Sequence, residues 1–174
     1  MDQQLLQQHF GNTDLDIIDQ LLKGMIKPGA KILDAGCGEG RNLTYFIKNE
    51  FLVWAIDSNP LAVQYCQYYA KGVKPNFPID NILAEPIEEV LFPQGYFDII
   101  FCINVLHDAS DTSHLQAIIS KLQNLLTATG YLFLKVNAGT IDEETLKQYF
   151  KIVASEKIEI TCKFNRSFWV LQPL

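Results

Sequence analysis

Ile32-Leu33-Asp34-Ala35-Gly36-Cys37-Gly38-Glu39-Gly40 is the stretch that decides the fold of this chain. An apolar run ends in an acid and then turns through three glycines at alternate positions. The pattern predicts a short buried strand, Lys31 to Asp34, and a sharp loop after it. Glycine has no Cβ, so such a loop bends tightly and lets a ligand approach its backbone. A second apolar run, Phe51 to Ile56, is followed at once by Asp57. Together these features describe a nucleotide-type cofactor site at the carboxyl end of a parallel sheet.

The glycine spacing and Asp34 narrow the ligand. A pyrophosphate loop of the dinucleotide type would read G-x-G-x-x-G, whereas this one reads G-x-G-x-G. An acid beside a pyrophosphate is repulsive, but beside a cation it is favourable. S-adenosylmethionine carries an ammonium, a sulfonium and one carboxylate, and has no phosphate. Asp34 suits its cationic end, directly or through water, and the loop N–H groups suit its carboxylate. Asp57, at the end of the second strand, suits both ribose hydroxyls. Nicotinamide enzymes share that ribose role, so the discrimination rests on Asp34 and the spacing.

Outward from the loop, the pattern alternates. Thr13 to Met25 reads as a helix with Thr13 as N-cap, and with Leu15, Ile18, Leu21, Leu22 and Met25 on one stripe. The glycine loop opens a helix over about Gly40 to Lys48, with Leu43, Phe46 and Ile47 inward. Ser58-Asn59-Pro60 starts the next helix, with proline at its first position, and Tyr65, Tyr68 and Tyr69 read as packing residues on it. Ile79 to Ala84 is a weaker third strand. Phe97 to Ile103 is a strong fourth strand, apolar enough to be covered on both faces.

His114 to Leu126 is helical. Thr127-Ala128-Thr129-Gly130 turns, and Tyr131 to Val136 is a fifth strand. Thr140-x-x-Glu143 has the form of a capping box before a short helix to Phe150. Ile152 to Thr161 and Ser167 to Leu171 close the chain as a hairpin. Alternating strands and helices imply a parallel α/β sheet with right-handed crossovers, and the last pair implies an antiparallel edge. No repeat or linker interrupts the pattern, so residues 1–174 read as a single domain. Residues 1–26 form an N-terminal helical segment, of which Met1 to Asn12 is the candidate lid.

Composition excludes several classes. The 174 residues are 48% hydrophobic and 20% charged, with a net charge of −6 and no basic run, which speaks for a globular protein and against nucleic acid as the main partner. No apolar run is long enough to span a bilayer. The glutamine-rich Met1 to Phe10 lacks the pattern of a secretory signal, so a cytoplasmic location is expected. Cys37, Cys66, Cys102 and Cys162 form no C-x-x-C pair and read as reduced thiols, with no metal site expected.

Ile32 to Asn42 resembles motif I of the class I S-adenosylmethionine-dependent methyltransferases. The resemblance continues through Ala55 to Pro60, Phe97 to His107 and Leu126 to Leu134, and so covers most of the chain. Gly40-Arg41-Asn42 is similar to the loop of the small-molecule and tellurite-resistance-type branch. The resemblance implies a three-layer Rossmann-like sandwich whose seven-stranded sheet is mostly parallel with an antiparallel C-terminal edge hairpin. It implies S-adenosyl-L-methionine as cofactor, held by Asp34, Gly36, Cys37, Gly38, Gly40 and Asn42 at the loop and by Asp57 and Ser58 after the second strand. Glu85 is the matching candidate for the adenine amino group, with Pro86 beside it. Asn104 and Val105 match positions that line the methionine moiety.

Methyl transfer from a sulfonium needs alignment more than acid–base chemistry, which agrees with the absence of an obvious catalytic motif. His107 is the one general-base candidate near the site; the other reading is a histidine that packs under the cofactor loop. Asp108 and Asp111 read as caps of the following helix, and His9 and His114 as surface residues. Cys37 reads as a small loop filler and Arg41 as a solvated side chain. The chain has Asn104-Val105-Leu106-His107 where adenine and glutamine methylation would need Asp/Asn-Pro-Pro-Tyr/Phe. A small-molecule acceptor is therefore expected, with neither nucleic acid nor membrane as partner. Asn137 to Thr140 and Phe164 to Ser167 are candidates for the rim. Two rival functions keep the same pattern: a cofactor-binding scaffold without turnover, and an NAD-dependent oxidoreductase. The acceptor atom and the oligomeric state are open at this level.

Overall fold

The computed structural model of the chain describes residues 3–137, 139–158 and 166–174. These divide into two compact units, Met1–Pro86 and Ile87–Leu174. Among the described residues, one sheet of seven strands runs in the order Ile82–Leu83 (β3), Leu52–Ile56 (β2), Lys31–Ala35 (β1), Phe97–Ile103 (β4), Leu126–Asn137 (β5), Arg166–Pro173 (β7), Phe150–Ile158 (β6).

The first unit holds α1 (Gln3–Phe10), α2 (Leu15–Leu22), β1 (Lys31–Ala35), α3 (Thr44–Lys48), β2 (Leu52–Ile56), α4 (Pro60–Val73) and β3 (Ile82–Leu83). β1 pairs with β2 and β2 with β3, all parallel. Ile32, Leu33 and Ala35 are fully buried, as expected for a strand covered on both faces. The expected third strand shrinks to two residues, because Ile79–Asn81 turns as a 3-10 helix.

Two helix starts in this unit differ from the sequence expectation. α2 is capped by Asp14 and not by Thr13: the Asp14 carboxylate accepts the Asp16 N–H. The Thr13 hydroxyl is spent on the Phe10 carbonyl at 2.6 Å, which closes α1. α2 also turns a different face inward. Ile17 and Gln20 are buried, while Leu15 and Leu22 are 78% and 77% exposed. α3 begins at Thr44 and not at Gly40. Gly40 has φ of 83°, a left-handed conformation that a right-handed helix cannot contain. The inward set Leu43, Phe46 and Ile47 is as expected, each at most 1% exposed. α4 starts as expected, with Asn59 Oδ1 accepting the Leu61 N–H and Pro60 at the first position. Its buried stripe, however, is Val63, Cys66 and Ala70. Tyr65 and Tyr68 face out, 53% and 80% exposed.

The second unit holds β4 (Phe97–Ile103), α5 (Thr112–Leu125), β5 (Leu126–Asn137), α6 (Glu143–Lys147), β6 (Phe150–Ile158) and β7 (Arg166–Pro173). β4 and β5 are parallel, and β7 pairs antiparallel with both β5 and β6, so the sheet is mostly parallel with antiparallel C-terminal strands. The expected turn at Thr127 to Gly130 is instead an interruption within a longer β5. Phe97 pairs with Leu126 and Ile99 with Tyr131, so the extra residues bulge out of the ladder. Gly130 is needed there: a Cβ would lie 2.9 Å from the Asp98 carbonyl. α6 is capped by Asp142, whose Oδ1 accepts the Thr145 N–H at 2.7 Å. A carboxylate two residues after Thr140 reaches the third helical N–H and takes the cap. Residues 159–161 of the expected hairpin, Cys162 and Phe164 lie outside the described residues. Among the described residues, no helix is long and apolar enough to cross a membrane.

Candidate functional site

β1 delivers Asp34 to the start of the glycine loop, where it is 1% exposed. Burial pushes its carboxyl up to about 7, against the opposing pull of the Arg41 charge and a hydrogen bond from the Asn42 side chain; the charge of Asp57 adds to the rise. Among the described residues, its Oδ2 has no hydrogen-bond partner. A buried carboxylate oxygen left unpaired costs free energy unless something supplies a donor.

The loop has positive φ at Gly36 (80°), Gly38 (52°) and Gly40 (83°). Gly38 has open space where a side chain would stand, whereas a Cβ on Gly40 would lie 2.7 Å from Cys66 Sγ. Gly38 therefore keeps the backbone accessible, and Gly40 lets α4 pack against the loop. Cys37 is buried, and its thiol lies far above the ordinary range because it hydrogen-bonds Cys66, is buried and lies near carboxylates. A thiol held in its neutral form by its surroundings is poorly suited to act as a nucleophile. Among the described residues Cys37, Cys66 and Cys102 are buried.

The loop N–H groups have other acceptors than the one expected. Gly36 and Cys37 both donate to the Ile56 carbonyl, Gly40 donates to the Cys37 carbonyl, and Gly38 donates to Asp57 Oδ2 at 2.8 Å. The α3 start lies four residues beyond Gly40, so it adds no anion cradle there. What the loop presents is acceptors: the unpaired Asp34 oxygen and the remaining lone pairs of Asp57. The other Asp57 oxygen accepts the Asn59 N–H at 2.9 Å, so two backbone donors fix this carboxylate.

Sequence reasoning missed how the N-terminal segment is tied to the loop. Asn42, 4% exposed, accepts the Asp14 N–H through Oδ1 at 3.1 Å. Arg41 is not simply solvated, since it pairs with the buried Asp14 carboxylate at 3.1 Å. The structure thus gives Asn42 a positioning role, between Asp34 and the cap of α2. The signal was present in Thr13-Asp14, but a local cap reading hid the long-range partner. Ser58 is exposed after β2, and Glu85 and Pro86 are half-buried just after β3.

In the second unit, Asn104 follows β4 with φ of 60°, unusual for a residue with a side chain. Its N–H donates to the Lys135 carbonyl at 2.8 Å, and its Oδ1 is buried without a hydrogen-bond partner among the described residues. Val105 is half-buried beside it. His107 sits in a 3-10 turn, Leu106–Asp108, with Nε2 3.6 Å from Asp108 Oδ1. It lines a cleft of about 280 Å³ with Leu106, Ala109, Thr112, Leu115 and Thr140. Of the two expected caps of α5, Asp111 takes the position, accepting the His114 N–H, while Asp108 belongs to the preceding 3-10 turn. His114 is not a plain surface residue: its Nδ1 accepts the Ser110 N–H at 3.1 Å, and its Nε2 lies 3.0 Å from Glu88. Among the described residues, no group of three or more ligating side chains could hold a metal ion.

A family model described as a methyltransferase domain matches residues 32–130, from the start of the loop strand through the β5 bulge. The chain belongs to that methyltransferase domain family. An uncharacterized methyltransferase of Synechocystis is 29% identical over 109 residues, which are 63% of this chain and 48% of that protein. The chain thus spans about half the length of the curated relative it matches. A TehB-like SAM-dependent methyltransferase from Corynebacterium glutamicum superposes with a TM-score of 0.69 at 19% identity, covering 89% of this chain and 86% of that one. The magnesium protoporphyrin IX methyltransferase of Synechocystis, solved with bound SAM, gives a TM-score of 0.71 at 21% identity, over 90% and 76%. These two likenesses concern the fold, and the methyltransferase domain is carried by the family match.

Proposed function

We propose that this chain binds S-adenosylmethionine at the Asp34 to Asn42 loop and transfers its methyl group to a small-molecule acceptor. The observation that carries the reading is the buried Asp34, whose Oδ2 lacks a partner among the described residues. Four loop N–H groups are consumed within the chain while two carboxylates still offer lone pairs. Such a site suits a ligand rich in donors and positive charge. An ammonium would satisfy Asp34, and ribose hydroxyls would satisfy Asp57. A diphosphate would meet acceptors where it needs donors, which disfavours the nicotinamide alternative.

When bound, the cofactor supplies an electrophilic methyl on a sulfonium, which leaves as a neutral thioether. The chain's task is to orient and to exclude water. Gly38 keeps the backbone open, Asp57 fixes the loop and the ribose, and Glu85 offers an acceptor for the adenine amino group. Cys37, Gly36 and Gly40 shape the loop, with Ser58 and Pro86 flanking the nucleoside. Asn104 and Val105 are proposed for the methionine end, where the unpaired Asn104 Oδ1 supports a polar contact. His107 is proposed as the base that takes the proton of the nucleophile, supported by its place on a cleft of mixed polarity. The acceptor is a small molecule, the location is cytoplasmic, and neither nucleic acid nor membrane is a partner. Residues 1–174 are proposed to act as one domain, supported by a single family match whose residues, 32–130, fall in both units.

A labelled-methyl assay against a panel of small alcohols, amines and thiols tests turnover. Label on one acceptor class, lost in Asp57→Ala, is the expected result. Cofactor binding with no transfer across the panel would favour a scaffold without turnover.

A further inference from the structure

A groove of about 890 Å³ opens between α1, α3 and the C-terminal half of α4, and shares no residue with the glycine loop. Its lining carries Lys48, Lys71, Tyr68 and Tyr69 and no carboxylate among the described residues, in a chain of net charge −6. Each lysine is held in place with capacity to spare. Lys48 Nζ donates to the Gln8 carbonyl at 2.8 Å and Lys71 Nζ to the Pro75 carbonyl at 3.0 Å, and an ammonium has three donors. Tyr69 is fixed by a 2.5 Å hydrogen bond with Thr44 Oγ1, while Tyr68 presents an 80% exposed ring. Gly72 leaves a bare floor: a Cβ there would meet nothing within 4 Å.

We propose that this groove is a second binding site, for a small organic anion that carries an aromatic ring. The acidic head would lie against the Lys48 and Lys71 ammonium groups, which form charge-assisted hydrogen bonds with such anions. The ring would lie on Tyr68, where aromatic pairs gain beyond simple burial. The volume falls within the range of about 300–1,000 Å³ usual for small-molecule sites. Both lysines also stand in the last turns of their helices, where a cation complements the helix dipole. That accounts for two cations, but not for a lining free of acids or for an exposed aromatic ring in the same lining.

The test uses anilinonaphthalene sulfonate as the anionic aromatic probe and uncharged phenylnaphthylamine as its control. Both are titrated by fluorescence with and without saturating S-adenosylhomocysteine. The expected result is one saturable site for the sulfonate that the nucleoside does not displace. Lys48→Gln with Lys71→Gln should weaken the sulfonate by about tenfold or more, the usual scale for losing charged hydrogen bonds, and leave the neutral dye unchanged. Gly72→Leu should weaken both dyes at unchanged melting temperature, and Tyr68→Ala should weaken both as well. Sulfonate affinity indifferent to the lysine pair would overturn the proposal, whether or not melting temperature falls. Full displacement by the nucleoside would also overturn it, since the dye would then occupy the glycine loop. Failure of the nucleoside to bind at all would count against the methyltransferase reading and leave the dye titration decisive for the groove.

Discussion

Asp57 Oδ2 accepts the backbone N–H of Gly38 at 2.8 Å, across 19 positions of chain. With the Asn59 N–H on its other oxygen, this carboxylate holds the turn of the loop and the start of α4 together. Asp57→Asn must put an amide NH₂ against one of those two N–H groups. A lost or inverted hydrogen bond to a charged group costs about 1.5–3 kcal/mol. The variant should bind S-adenosylhomocysteine at least about tenfold more weakly and melt at a lower temperature. Calorimetric titration and thermal denaturation measure the two effects.

The raised carboxyl of Asp34 gives stability a specific pH dependence. Its ordinary value is 3.8, and in the folded chain it stands at about 7. Between those values the folded state binds a proton that the unfolded state has lost, so stability falls as pH rises from about 4 to about 7. Asp111 and Asp142 have lowered values, so their contributions run the other way and are confined to more acid solution. Asp34→Asn should flatten the slope between pH 4 and 7 in urea-unfolding curves, and should raise stability at neutral pH. A cationic ligand needs Asp34 ionised, so its affinity should increase through about pH 7 with release of a proton. Titration in two buffers of different ionisation enthalpy would reveal that proton.

Gly38 and Gly40 should fail differently when substituted. Gly40→Ala meets both a left-handed φ and Cys66 Sγ at 2.7 Å. Its cost should exceed the roughly 1–2 kcal/mol of the backbone conformation alone, and Cys66→Ala should recover part of it. Gly38→Ala meets only the backbone cost, since space there is open. It should fold and still lose cofactor affinity, because the methyl group stands where the ligand approaches. Melting temperature and calorimetry separate the two variants.

His107→Ala tests the base assignment. Loss of a positioned base costs about 10²–10⁴ in rate. The variant should show that loss in kcat, with S-adenosylhomocysteine affinity unchanged. A pH-rate profile of the wild type should show an ionisation that the variant lacks.

The central strands β1 and β4 and the glycine loop were legible in the sequence because both faces of a central parallel strand must be apolar. Ile32, Leu33 and Phe97 to Ile103 leave no other reading. Helix starts were less legible. Thr13 and Asp14, or Thr140 and Asp142, are competing caps within a few residues, and long-range partners decide between them. Phe10 takes the Thr13 hydroxyl, and Asn42 takes the Asp14 N–H. Periodicity also misplaced the buried faces of α2 and α4, since a shift of one residue turns a helix by about 100°. The acids of the candidate site stood out by type and place. That the loop N–H groups are spent on Ile56, Cys37 and Asp57 depends on backbone geometry, which no side chain announces.

Calorimetric titration of the purified chain with S-adenosylhomocysteine and with NADH, at pH 8 where Asp34 is ionised, tests the central claim most directly. The account predicts saturable binding of the sulfur nucleoside, abolished in Asp57→Ala, and no heat from NADH. Saturable binding of NADH with none of the sulfur nucleoside would contradict it.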